Sequence, residues 1–319
     1  MTRWTTIITK DFKILAILMI AITKDSENNN YMRQYTIAGH TIQLSGKGLN
    51  SLPGLDVFFS GKPEKEPLLV IDTDIPVCDC DVSPFFSFEN EGTCSDLSIK
   101  DNGFFFRIKQ RDGSRLLAEI RREGDCFRAA VNWTGVFSEQ TLKSGCWSLF
   151  GIAALSRQTV SIHASTVTVQ GKSTLFLGES GTGKSTQTGL WLQHIPGAEL
   201  LNDDSPFIRV KPDGSIRVYG SPWSGKKPCY KNRQTPIAAF VRVSQAPHNR
   251  IRRLKGAEAI GALQPSCPYS FSYNEQLSES IYSIISQTLL QAPVYHLECL
   301  PDADAARLTY STLVQDHFL

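Results

Sequence analysis

From Met32 to about Asn132 apolar and polar residues alternate in short runs punctuated by turn residues. Met32 opens a segment that reads as a strand, alternating over Tyr35–Leu44, and Leu68–Ile71 is a further β-type run. Phe104–Ile108, Leu116–Ile120 and Phe127–Val131 follow. They are separated by Asp101-Asn-Gly103, by Arg-Asp-Gly-Ser at 111–114 and by Arg121-Arg-Glu-Gly-Asp125. That spacing predicts a meander of antiparallel hairpins. The period then changes. Thr141–Ser156 predicts a helix that carries Trp147, Leu149, Phe150 and Ile152 to a core. Strands are expected at Ser173–Leu177, Ala198–Leu201, Pro236–Val243 and Val294–Cys299, and helices at Ser185–Gln193, Glu275–Leu290 and Ala303–Val314. Phe207–Val210 and Ile216–Tyr219, joined by Lys211-Pro-Asp-Gly214, form a hairpin signal, and Ser266–Asn274 reads as an ordered loop. The change of period puts a domain junction near 137–144. A β-rich accessory domain over 32–140 would precede an α/β domain over 141–319, so the chain is α+β overall.

Bulk properties narrow this only a little. With 319 residues, 41% of them hydrophobic, the chain can bury one large core or two medium ones. A net charge of +2 gives no ground for nucleic-acid binding. Arg250, Arg252 and Arg253 are read as a solvated face, with contact to an acidic peptide or a phosphate as the alternative. None of the eight cysteines forms C-x-x-C, and they are expected as free thiols, with Cys78, Cys80 and Cys94 as the set a zinc ion would use. Phe12–Ile22 is apolar behind a lysine, yet too short to span a bilayer. It reads either as an extension upstream of a start at Met32 or as a signal segment, and stable membrane insertion is not expected.

The chemistry is concentrated in one stretch. Gly178-Glu179-Ser180-Gly181-Thr182-Gly183-Lys184-Ser185, followed by Thr186, fills the pattern G-x-x-x-x-G-K-[ST] between an expected strand and an expected helix. Glycines there let backbone N–H groups converge on phosphate oxygens, the helix N-terminus favours the same anion, and Lys184 adds a mobile charge. The hydroxyl of Ser185 suits Mg²⁺. Nineteen residues on, a short apolar run ends in Asp203-Asp204. Successive residues of a strand face opposite ways, so one carboxylate can hold Mg²⁺ while the other accepts a proton or binds a second metal ion. His163, fifteen residues before Gly178, is one strand-turn-strand away from the loop. Gly220-Ser-Pro-Trp-Ser-Gly-Lys226 offers Lys226 and Lys227 to a transferring charge, and Trp223 as either a pocket wall or a loop anchor.

His163, the glycine loop and Asp203-Asp204 together resemble the catalytic domain of the HPr kinase/phosphorylase family over about 156–230. ATP-dependent phosphoenolpyruvate carboxykinase has a similar core, and peptide-tailoring kinases of the HPr kinase type are also similar. The resemblance implies a P-loop kinase core with ATP and Mg²⁺ as cofactors. It implies that His163 lies by the phosphates, that Asp203 with Ser185 binds the metal, and that Asp204 is the base. It implies a serine kinase acting on a peptide or small protein, in the cytoplasm, with homo-oligomers open. The segment after the aspartates departs from the family's glycine-rich signature, and the first 150 residues lie outside the resemblance. A carboxykinase-like transfer to a small organic acid, or a regulatory module that holds nucleotide without transfer, are the alternatives.

Overall fold

The structure, a computed structural model, describes residues 32–47, 52, 54–61, 66–90, 92–136, 138–225 and 227–314. The apolar Phe12–Ile22 and the rest of 1–31 fall outside the described residues. The fold is mixed α/β, with two large mixed sheets of nine strands each and a few helices.

The first sheet contains β1 (Met32–Ile37), β2 (His40–Ser45), β3 (Phe59–Gly61), β4 (Leu69–Asp72) and β5 (Pro84–Asn90). It continues with β6 (Thr93–Lys100), β7 (Gly103–Gln110), β8 (Arg115–Glu123) and β9 (Cys126–Thr134). Their order is β3-β1-β2-β4-β9-β8-β7-β6-β5. The expected antiparallel meander holds from β5 to β9. Two expectations are corrected. Tyr35–Leu44 does not run as one strand: Ala38 at φ 51° and Gly39 at φ 73° turn the chain so that Ile37 faces His40, the two-residue turn whose twist suits a hairpin. Nor is the sheet a pure meander, because β4 pairs in parallel with both β2 and β9. Leu69, Val70 and Ile71 are all buried, and an apolar run of this kind belongs in the middle of a sheet, with long connections bringing its neighbours round.

Helix α1 (Glu139–Leu155) follows, N-capped by Ser138, whose side chain accepts from the Thr141 N–H. It packs on β4 and β8 of the first sheet and also on β10 (Thr159–Ser161) of the second. The second sheet adds β11 (Ala164–Val169), β12 (Lys172–Leu177), β13 (Glu199–Asp204), β14 (Phe207–Val210) and β15 (Ile216–Tyr219). Its remaining strands are β16 (Gln234–Gln245), β17 (Arg250–Leu254) and β18 (Val294–Cys299). The helices here are α2 (Lys184–His194), α3 (Ala257–Leu263), α4 (Glu275–Leu289) and α5 (Ala303–Leu313). β12, β16 and β18 run parallel. Their side chains alternate between two cores: Leu175, Leu177 and Phe240 join the core shared with α1, α3, α4 and the first sheet, and Phe176, Val241 and Leu297 join a second one with Trp191 of α2 and Leu313 of α5. A sheet buried on both faces explains why these strands read as continuous apolar runs.

The segment expected as a loop at Ser266–Asn274 contains short 3-10 turns at Gln264–Ser266 and Tyr269–Tyr273. The arginine cluster lies on β17, antiparallel to β18, with Arg250, Arg252 and Arg253 exposed. Among the described residues no helix is long and apolar enough to cross a membrane.

Candidate active site

Register brings the site together. Ala164 at the start of β11 pairs with Leu177 at the end of β12 and with Asp204 at the end of β13. His163, the loop after Leu177 and the two aspartates therefore emerge side by side, outside the carboxyl ends of the parallel strands β12, β16 and β18, where open α/β sheets bind ligands. A bulge is needed for this. Thr166 pairs with Asn202 but Val167 with Leu200, so Leu201 is the extra residue and the side chains beyond it are re-aimed. Asp203 ends up buried at 6% exposure, whereas the Asp204 side chain is 48% exposed. The two carboxylates thus differ in burial while lining one cleft.

The loop from Gly178 to Gly183 enters α2 through Gly183 at φ 110°. A Cβ at Gly178 (φ 144°) would stand 2.5 Å from Thr182 Oγ1, so the loop closes this tightly only with glycine there. Lys184 Nζ donates to the carbonyls of Gly178 (2.7 Å) and Glu179 (3.0 Å). Burial lowers its pKa, opposed by Asp204, Glu179 and Asp203. Gln245 Nε2 donates to the Gly181 carbonyl at 3.0 Å. Glu179 turns its carboxylate to Arg242 at 2.5 Å. The Ser185 hydroxyl donates to Asp203 Oδ1 at 3.0 Å.

These groups line a cleft of about 830 Å³. Ser180, Gly181, Thr182, Gly183, Lys184, Ser185 and Thr186 line it, as do His163, Asp203 and Asp204. Gly178 and Glu179 stand behind it, bonded to Lys184 and Arg242. Lys226 lies outside the described residues, and its neighbour Lys227 lines the cleft.

His163 anchors its own position by donating its backbone N–H to Ser266 O at 2.7 Å. Its Nε2 stands 3.7 Å from Asp204 Oδ1. Burial, and then Lys184, lower the His163 pKa against the pull of Asp204. Burial raises the Asp204 carboxyl, His163 draws it back, Asp203 raises it further and Lys184 lowers it. Asp204 also carries φ 146°, a backbone region that side-chain-bearing residues rarely adopt.

Sequence reasoning missed the support beneath the aspartates. Asn202 is fully buried. Its Nδ2 donates to Trp223 O at 3.0 Å and Ser221 Oγ at 3.3 Å, and its Oδ1 accepts from Ser205 N at 2.9 Å. It thereby ties the 221–225 loop to the strand bearing Asp203 and Asp204. Gly225 N donates to Asp203 O at 2.5 Å. A polar Asn ending the apolar Leu200-Leu201 run was the available signal. Trp223 anchors the loop. Its Nε1 donates to Lys143 O at 2.9 Å, its ring stacks on Phe150 at 5.8 Å, and it lines a second cleft.

The donor set fits a magnesium ion. Ser185 Oγ and Asp203 Oδ1 are hard oxygen ligands already within hydrogen-bond distance of each other, and Mg²⁺ is usually held by one or two carboxylates together with substrate phosphates. Among the described residues no group of three His, Cys, Asp or Glu side chains is placed to hold a metal ion, so the zinc alternative at Cys78, Cys80 and Cys94 is not supported. All eight cysteines are free, and burial pushes the Cys146 and Cys267 thiols up to about 12.

No family model matches this chain, and no curated protein matches it. Among solved structures it is similar to the Hpr(Ser) kinase/phosphatase from Coxiella burnetii, at 13% identity and a TM-score of 0.28, over 49% of this chain and 94% of that one. At that level the relationship is distant at most.

Proposed function

We propose that this protein is an ATP- and Mg²⁺-dependent phosphotransferase that moves the γ-phosphate to a hydroxyl, most simply that of a serine, on a peptide or small protein. The observation that carries the reading is the convergence, at one sheet end, of Lys184, the Ser185–Asp203 pair and a half-exposed Asp204 beside His163. A module that merely held nucleotide would have no use for the last pair. The resemblance to the HPr kinase family supports the same reading, with the P-loop core over 141–319 and the accessory domain over 32–140.

In this reading the loop amides and Lys184 bind the phosphates, with Lys184 released from the Gly178 and Glu179 carbonyls that hold it in the free protein. Ser185 and Asp203 hold Mg²⁺, which when bound neutralises phosphate charge. The acceptor oxygen attacks the γ-phosphorus and forms the new P–O bond. The bond to the β-phosphate oxygen breaks, its electron pair leaves with ADP, and the hydroxyl proton passes to the Asp204 carboxylate. His163 orients that carboxylate. The test is transfer of label from γ-labelled ATP, with Mg²⁺, into peptides and proteins of a lysate. Asp204→Asn is expected to keep Mg·ATP binding and lose roughly 10²–10⁴-fold in transfer. Full transfer by Asp204→Asn would remove Asp204 as the base, and tight nucleotide binding with no labelled species for wild type would favour the regulatory module.

A further inference from the structure

A second cleft, of about 550 Å³, opens on the other side of His163 and Asp204. Both residues, together with Lys184's cleft on one side and this one on the other, form the boundary between the two spaces. The floor of the second cleft is one face of the first sheet. Phe86 pairs with Leu97, Leu97 with Phe106, and Ser95 with Ile108, and all five side the same way. One wall is α1, where Gln140, Lys143, Ser144, Trp147 and Ser148 recur at helical spacing and all line the cleft. The opposite wall is the segment from Pro265 to Ser270.

The lining chemistry selects its occupant. The charged side chains among the described lining residues are engaged, apart from the Asp204–His163 pair at the inner end. Asp96 accepts from Ser87 at 2.8 Å and faces Arg107 at 3.8 Å, and Lys143 Nζ sits over the Tyr230 ring at 5.0 Å. A small organic acid would leave its carboxylate without a committed cation here. The Ser144 and Ser148 hydroxyls donate to Gln140 O at 2.9 Å and Ser144 O at 3.2 Å, which leaves their oxygens to accept from the N–H groups of a neutral amide backbone. The outer end is aromatic. Phe86 packs against Tyr269 at 5.8 Å and Tyr273 at 5.2 Å, with Tyr269 65% exposed and Tyr273 51% exposed. β5, which carries Phe86, is the terminal strand of its sheet.

Resting on the phosphotransferase reading above, we propose that this second cleft is the acceptor site. It takes an uncharged, extended peptide segment that presents its hydroxyl to Asp204 and lays an aromatic or apolar side chain toward Tyr269. The first sheet thereby supplies part of the acceptor site.

The experiment uses the full chain, γ-labelled ATP with Mg²⁺, and a degenerate library of short peptides with one fixed serine. A parallel panel holds free sugars, free serine and small hydroxy acids. Wild type is expected to label peptides, preferentially those with an aromatic residue near the serine. Ser144→Trp fills the cleft from an exposed helix position, and Tyr269→Ala removes an exposed ring, so neither challenges the core. Each is expected to raise the peptide KM, by about tenfold for Ser144→Trp and about threefold for Tyr269→Ala, with a smaller change in the KM for ATP. Wild-type peptide kinetics in both variants would overturn the placement of the acceptor while leaving the phosphotransferase intact. Labelling confined to the small-molecule panel would overturn the peptide class. Absence of label in every acceptor would fell the phosphotransferase reading itself, and this proposal with it.

Discussion

The two clefts that meet at His163 and Asp204 are made of different material. The first cleft is built around one continuous loop from Gly178 to Gly183 running into α2, with the Asp203-Asp204 strand end brought alongside by sheet register. The second cleft draws its floor and walls from separate segments, β5, β6, β7, α1 and 265–270, and meets the 221–225 loop at Trp223 and Ser224. A site formed by consecutive backbone can be rebuilt wherever strand, loop and helix recur. A site formed by scattered side chains can change its ligand by single substitutions while the phosphate machinery is untouched. In the proposed reading, the first cleft is a fixed donor half and the second an adjustable acceptor half.

The sharpest way to test that separation is Lys184→Ala. It removes the charge from the donor side and leaves the second cleft's lining as it is. Transfer is expected to fall roughly 10²–10³-fold, the cost of one preorganised electrostatic group, with weakened nucleotide affinity measured by calorimetry and an unchanged rank order of peptides in whatever transfer persists. A changed peptide preference in Lys184→Ala would mean that the two halves are not separable.

The same contrast explains what was legible in the sequence. The glycine loop, Lys184, Ser185 and the Asp pair are adjacent in the chain or one helix and one strand apart, so spacing alone pointed to them. The second cleft was legible only through Trp223 as an expected pocket wall, because Phe86, Ser144 and Tyr269 share no segment and their meeting depends on how α1 bridges the two sheets. From sequence the aromatic runs at Phe85-Phe86 and Phe104–Phe106 suit core and inter-domain packing, with a peptide groove as the alternative, and they divide: Phe105 is fully buried, while Phe86 and Phe106 line the cleft. The Leu201 bulge was equally hidden, since no local signal marks where a ladder slips. The parallel placement of β4 was out of reach for the same reason: pairing of Leu69–Asp72 with residues near 42 and 127 is a long-range choice.

If the acceptor half needs the first sheet held against the second, the seam between them matters. At that seam His40 of β2 meets Thr159 of β10, with Nε2 and Thr159 Oγ1 at 2.8 Å. Thr159 gives its own proton to Arg157 O at 3.1 Å, so Nε2–H is the donor to Thr159. Burial, then Arg209 and Arg157, lower its pKa from 6.5 to about 3. A histidine held neutral by the fold leaves stability intact above its unfolded value and costs stability as pH falls from about 6.5 toward 3, because only the unfolded chain takes up the proton. Denaturant unfolding is expected to show a loss on the order of 2–3 kcal/mol between pH 6.5 and about pH 4.5 from this group. His40→Gln, which keeps an N–H donor, should flatten that part of the profile. An identical pH profile in His40→Gln would place the acid sensitivity elsewhere.

The smallest expected effect lies at the point where the two clefts touch. Asp204 holds φ 146°, in a region glycine reaches freely and other residues reach at a cost of about 1–3 kcal/mol. Its neighbour Asp203 adds like charge, and the bridge from Asp204 to Ser224 fixes the conformation. Asp204→Gly relieves that strain and gives back about 0.5–1 kcal/mol through the greater freedom of the unfolded glycine. The balance is a gain of about 1 kcal/mol, a rise in Tm of about 2–4 °C by calorimetry, together with loss of transfer as in Asp204→Asn. A stabilised but inactive Asp204→Gly would mean that this carboxylate is kept for its chemistry against the preference of its own backbone. A drop in Tm would show that the aspartate is retained there for structure, and the boundary between donor and acceptor halves would then have to be drawn through His163 alone.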